Sequence, residues 1–282
     1  MNAVFVGLGG LWFKAYYDTL RMMRPAYVVL IDGDLVSPSD RQYTDSEVGF
    51  PKVLAAAVRT MQVVPQAGVY VALARSEEVD WKYVDGTAKW PSAVITLTDS
   101  LESRLASLGR FLLDSTSSAW WVSAGNDGES AWAACLPKAA SPERIREFVR
   151  CMKNAKIGGV GCARQQTPFS NSVAALMLNR VIEWIVDATD HGELSLLPWG
   201  IVYEKGREYI DGRSWNAIET WDSSAPHGES VVDVLKEEGV MEYVRREGDD
   251  SGAKLLSYVT FDDLVSAMKP SGERLYQLAG EI

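Results

Sequence analysis

What this 282-residue sequence lacks narrows its chemistry before any motif is read. It has three cysteines, Cys135, Cys151 and Cys162, an odd number with no pair at C-x-x-C spacing. That excludes a disulfide framework and a four-cysteine zinc site, and it predicts a reducing, cytoplasmic setting. Its two histidines, His191 and His227, are too few for a histidine-rich metal centre. Basic residues are in deficit: 28 Lys and Arg stand against 38 Asp and Glu, a net charge of −10 without any Lys/Arg run. A phosphodiester backbone is bound through a basic face, so nucleic acid is not an expected partner. No apolar stretch approaches the ~20 residues of a membrane span. Met1 leads straight into a strand-like run with no charged n-region, so neither a membrane segment nor a signal peptide is expected. Internal repeats and low-complexity tracts are missing too.

What is there is ordinary globular material, 47% hydrophobic and 23% charged, enough for one large core or a core with an appendage. Strand-like runs at 2–6, 27–31, 69–74, 93–97 and 111–114 alternate with helical patterns at 11–23, 53–61 and 101–108. This alternation predicts an α/β fold of Rossmann type, a mostly parallel sheet with helices on both faces. Antiparallel strands should extend it: 120–124 and 130–136 flank Gly125-Asn126-Asp127-Gly128, a tight-turn sequence, and 201–209 and 215–221 form a second candidate hairpin. Pro142 opens one further helix, and Thr167-Pro168 opens another that runs to about Asp187. Beyond Pro226 the chain turns acidic and mixed, with helical pieces at 231–246 and 262–268. We therefore read residues 226–282 as a small, helix-rich appendage to a nucleotide-binding domain spanning 1–225.

The chemistry starts at Gly7-Leu8-Gly9-Gly10, between the first strand and the first helix. That arrangement lets backbone N–H groups approach a phosphate at a helix N-terminus. The third glycine of the dinucleotide fingerprint is missing, since Leu11 and Trp12 follow. Asp32 and Asp34, at the end of the second strand, are candidates to hold ribose hydroxyls. At this point NAD and ATP stand level. The next stretch separates them. A hydride-transfer enzyme has no need of cations just past the ribose carboxylate, whereas ATP cleavage concentrates charge on the phosphates. Arg41 and Lys52 stand there, on the loop and at the following helix start. Asp99, at the carboxyl end of the fourth strand, is placed to help hold Mg²⁺.

In order, Gly-x-Gly-Gly, Asp-x-Asp-x-Val, Arg-Gln, Val-Gly-x-Pro-Lys and Thr-Asp-Ser-x-x-x-Arg resemble the ThiF/MoeB/HesA superfamily, which includes the ubiquitin-activating enzymes. The resemblance covers residues 3–105 well and 106–220 loosely. It implies ATP and Mg²⁺ as cofactors, with Asp34 on ribose, Arg41, Gln42 and Lys52 on phosphates and Asp99 on magnesium. Ser100 and Arg104 fall on matching positions. It also implies adenylation of the C-terminal carboxylate of a ubiquitin-like or sulfur-carrier β-grasp protein ending in glycine, and a homo- or heterodimer. Two departures stand out. Ser39-Asp40-Arg41-Gln42 is shorter than the usual Ser-Asn-Leu-x-Arg-Gln and lacks its asparagine. No helix bearing an arginine precedes the first strand, so the expectation is that another subunit supplies that cation, that Arg21, Arg24 or another residue substitutes, or that turnover is impaired.

Cys162, in Cys162-Ala163-Arg164-Gln165-Gln166-Thr167-Pro168, resembles the thioester-forming cysteine of such enzymes, with Ala163 where they carry Thr. A thiolate ahead of a helix gains nucleophilicity, yet a free cysteine is most often a small buried hydrophobe; both readings stand. Cys135 and Cys151 read as structural. Two rivals to an adenylating enzyme remain: a degenerate relative that binds partner or nucleotide without turnover, and an NAD-dependent oxidoreductase.

Overall fold

The computed structural model describes residues 1–79, 83–84, 87–88, 91–114, 119–126, 130–154, 168–191, 200–204, 230–244, 256–260 and 262–264. Strands are β1 (Ala3–Val6), β2 (Tyr27–Ile31), β3 (Gly68–Ala72), β4 (Tyr83–Val84), β5 (Thr87–Ala88), β6 (Ala93–Thr96), β7 (Trp120–Asn126), β8 (Ser130–Pro137), β9 (Gly200–Glu204) and β10 (Ser257–Val259). Helices are α1 (Gly10–Met23), α2 (Lys52–Val63), α3 (Leu101–Asp114), α4 (Pro142–Asn154), α5 (Pro168–His191) and α6 (Val231–Glu237).

Eight strands form one sheet in the order β10-β3-β2-β1-β6-β7-β8-β9. The five from β3 to β7 are parallel, with Ala3 opposite both Val28 and Ala93. Strands β8, β9 and β10 are antiparallel to their neighbours. The chain moves outward from β1 through β2 to β3, then returns to place β6 on the other side of β1. Between β1 and β6 the winding reverses, and an α/β sheet opens a crevice at that point beyond the strand carboxyl ends.

Side chains alternate across the sheet, so each strand feeds two cores. Phe5, Leu30, Val71 and Ile95 face α1, α2 and α5, against Trp12, Leu20, Leu54, Leu178 and Ile182. Val4, Val29, Val94 and Trp121 face α3, α4 and α6, against Leu108, Phe111, Phe148 and Leu235. Burial on both faces explains why β1 and β2 are apolar without a break.

Two expectations are corrected. Residues 111–114 are the last turn of α3, not a fifth strand, and β7 takes that place in the sheet. Gly109 does not break the helix. A β-carbon there would lie 2.4 Å from Val244, so the glycine admits the turn that follows α6. Of the second expected hairpin, β9 is present and paired to β8, while its partner segment lies outside the described residues. Past residue 226, α6 is shorter than the expected helix and is followed by a 3₁₀ turn at Val240–Glu242. Strand β10 joins the sheet edge.

Candidate active site

The glycine turn is built by backbone constraint. Gly7 has a φ of +86°, and a β-carbon on it would stand 2.9 Å from Thr98. Its N–H donates to the Ile31 carbonyl at 3.0 Å. Leu8 is clamped at both ends, its N–H donating to Asp32 Oδ2 at 2.7 Å and its carbonyl accepting from the Tyr43 hydroxyl at 2.6 Å. Burial pushes the Tyr43 hydroxyl's pKa up, so it remains a donor. Gly9 caps α1 without a side chain, and no acidic residue occupies the first turn. The helix thus presents unneutralised N–H groups, a ready anion site. A β-carbon at Gly9 would meet nothing within 4 Å, so this backbone faces open space.

The two aspartates after β2 differ in availability. Asp32 spends both oxygens on backbone, accepting from Leu8 N–H and from Asp34 N–H at 2.8 Å. Burial raises its pKa, and those bonds and Lys52 only partly counter it. Asp34 keeps a 73% exposed side chain and accepts from Lys52 Nζ at 3.2 Å. Lys52 is only 8% exposed and also sits 3.5 Å from Asp40. Burial alone would lower its pKa, but Asp32, Asp34 and Asp40 together raise it and keep the ammonium charged.

Asp40 also organises the loop between β2 and α2. It accepts from Ser37 N–H at 2.8 Å, from the Ser37 hydroxyl at 3.0 Å and from Gln42 at 3.4 Å. Gln42 is tied to Asp40 with its Oε1 3.8 Å from where a Gly10 β-carbon would be, but like Arg41 it is not among the residues lining the cleft. Arg41 is exposed and does not line the cleft. Arg59 fixes the far end of the loop by a bidentate pair with Glu47, at 2.6 and 2.9 Å.

At the end of β6, Asp99 is exposed on the cleft rim. Ser100 is the α3 cap, accepting from Ser103 N–H at 3.2 Å and donating to Glu102 at 2.7 Å. Arg104 is 2% exposed. It donates to Ser123 at 2.6 Å and to the Thr98 carbonyl, and lies over the Trp132 ring at 4.7 Å. Its Nε has no partner, and it forms no ion pair among the described residues. Burial draws its pKa down to about 9, with Asp99 pulling the other way. Such a cation gains from an anion delivered to the cleft.

All of this surrounds one cleft of about 850 Å³ at the winding reversal. It brings together Gly7, Gly9, Gly10, Asp32, Asp34, Lys52, Asp99 and Ser100. Cys162 lies outside the described residues. Cys135 is fully buried, which lifts its thiol to about 12, and burial also raises Cys151; neither is a poised nucleophile. Among the described residues no three His, Cys, Asp or Glu side chains converge on a metal position, and no helix is long and apolar enough to cross a membrane. A nucleotide-borne Mg²⁺ needs only one or two protein carboxylates, and Asp99 on the rim fits that demand.

Sequence reading missed Asp40, Arg75, Asn126 and Asn171, all of which line the cleft. Asn171 had a visible signal. It shares the apolar stripe of α5 with Ala174, Ala175 and Leu178, and a polar residue on a buried stripe needs a partner.

No family model matches the chain, and no curated protein does. Among solved structures, E. coli MccB matches at a TM-score of 0.52 with 13% identity, covering 74% of this chain and 61% of that one. MccB with ATP gives 0.48 at 14% identity, covering 74% and 62%, and PaaA gives 0.49 at 18%, again covering 74% and 62%. The chain thus spans about three fifths of those chains, and at 13% identity the likeness to MccB is one of fold.

Proposed function

We propose that this protein binds ATP in the switch-point cleft and adenylates the C-terminal carboxylate of a peptide or small protein. One observation carries the reading: a buried lysine tied to the exposed Asp34, and a buried arginine with no ion pair among the described residues, flank a helix N-terminus without a side-chain cap. Hydride transfer has no use for those cations; a polyphosphate does. That MccB, a protein of the same fold, has a structure with ATP agrees with this reading.

In the reaction, an acceptor carboxylate oxygen bonds to the α-phosphorus as the bond to pyrophosphate breaks. Pyrophosphate leaves with the electron pair, and no proton moves. The chain contributes position and charge. Asp34 holds ribose, which releases Lys52 toward the phosphates. Gln42 and the α1 amides contact them, Asp99 holds Mg²⁺, and Arg104 offsets charge from beneath. Arg41 joins only if its loop closes over bound nucleotide. The acceptor is a ubiquitin-like or sulfur-carrier β-grasp protein ending in glycine, Cys162 receives the acyl group as a thioester, and the enzyme works as a dimer. A nucleotide-binding subunit without turnover is the second reading, favoured by Arg41 standing outside the cleft.

Thermal shift separates these ideas. ATP with Mg²⁺ should raise the melting temperature and NAD should not. Lys52→Ala should weaken ATP at least ~10-fold, the worth of one charge-assisted contact. Stabilisation by NAD alone refutes the proposal. Tight ATP binding with no pyrophosphate exchange against any Gly-Gly-terminated acceptor selects the second reading.

A further inference from the structure

Across the glycine turn from Asp34, the cleft is bordered by an amide pair. Asn126 closes β7 and Asn171 lies in the first turn of α5. Asn126 Nδ2 donates to Asn171 Oδ1 at 2.8 Å. This bond leaves Asn126 Oδ1 buried without a partner. It also leaves the Asn171 amide nitrogen with no acceptor among the described residues, although Asn171 is only 8% exposed. That nitrogen stands 2.8 Å from the position a Gly10 β-carbon would take, against the open start of α1. Reversing both amides would exchange these roles, so the assignment of donor to Asn171 and acceptor to Asn126 follows the orientation in which Asn126 Nδ2 donates to Asn171 Oδ1.

Position completes the argument. Strand β7 lies three strands from β2, about 14 Å at ordinary strand spacing. A nucleoside anchored at Asp34 therefore runs its phosphates along the glycine turn, with this pair at the far side of Gly10. What the pair offers, one donor facing the cleft and one buried acceptor side by side, complements the last residue of a polypeptide. That residue carries a carboxylate to accept and a peptide N–H to donate. A simple carboxylic acid satisfies only half of it, and a buried group left unmet is costly.

Resting on the ATP reading, we infer that Asn126 and Asn171 form the acceptor subsite and select a peptide C-terminus over other carboxylates. In the bound state Asn171 donates to the carboxylate oxygen beside Gly10, and the Asn126 amide, whose Oδ1 is closed to solvent here, rotates so that Oδ1 accepts from the terminal residue's peptide N–H.

The test is calorimetric titration of the full chain with three ligands: AMP, N-acetylglycyl-sulfamoyl-adenosine, and its N-acetylsarcosyl analogue, whose amide carries methyl in place of hydrogen. Wild type should bind the acetylglycyl compound more than about tenfold tighter than AMP and lose most of that gain with the sarcosyl compound. Asn126→Ala and Asn171→Ala should each erase the preference and leave AMP within about twofold. Should Asn171→Ala fail to fold, Asn126→Ala, at the half-exposed end of β7, decides alone. Equal binding of the glycyl and sarcosyl compounds overturns the inference, as does preference retained in the folded variants or AMP affinity lost with it. No AMP or ATP binding by wild type overturns the nucleotide reading as well, and so is told apart from failure of the subsite alone.

Discussion

Gly7 and Gly9 stand two positions apart in one turn and are glycine for different reasons. Gly7 has a left-handed backbone and Thr98 against it. Gly7→Ala should cost about 1–3 kcal/mol of stability, read as a lower urea midpoint. Gly9 has an ordinary φ of −79° and open space around its α-carbon. Gly9→Ala should leave the midpoint unchanged and cut ATP affinity, because the added methyl occupies the phosphate approach. If Gly9→Ala lost stability but kept ATP, the turn would be structural only. The glycines and the Asp32–Asp34 pair were legible in the sequence because each abuts a strand end, where local pattern fixes position. The Arg41 side chain was not. Its direction follows from how Asp40 gathers Ser37, Gln42 and Lys52, and that geometry has no periodic signature.

At the scale of elements, the loop between β2 and α2 is held at its far end by Glu47. Burial would raise the Glu47 pKa, but the Arg59 pair and the bonds from Thr44 outweigh it, and the net direction is down. A depressed carboxylate stabilises fully above the ordinary glutamate value of about 4.3 and loses that contribution as pH falls through its folded value. Glu47→Gln should therefore cost about 1–3 kcal/mol at pH 7, with the gap to wild type closing below about pH 4. Chemical denaturation at both pH values measures it, and a constant gap would assign the loss to packing. Element order was largely legible for the same reason as the glycine turn: buried parallel strands are continuous apolar runs between helices. The exception, 111–114, failed because Gly109 looks like a helix stop. Its actual cause, Val244 packing onto α3, lies 135 residues downstream, beyond any local window.

For the whole molecule the question is whether the last fifth is a separable appendage. The described parts pack as integral pieces. Strand β10 covers the β3 edge, with Tyr258 tilted against Tyr70 at 5.2 Å. From α6 and its 3₁₀ turn, Val234, Leu235 and Val240 are fully buried against the α3–α4 face. With Val259, four such side chains represent roughly 6–12 kcal/mol of burial before ordering entropy is subtracted. Whole domains of this kind are stable by only about 5–15 kcal/mol. A chain ending at residue 229 should thus bare a β3 edge and unfold at a clearly lower midpoint than the intact protein. The milder Leu235→Ala should cost about 2–5 kcal/mol within the full chain. If residues 1–229 unfolded with the midpoint of the intact protein, the C-terminal stretch would be the autonomous unit that its acidic composition suggests. Loss of the midpoint while ATP still protects the remnant would separate fold from site. The cleft is framed by β1, β2, β6, β7 and the starts of α1 and α5, none of which lies beyond residue 191, so weakened stability with retained ATP protection is the expected outcome.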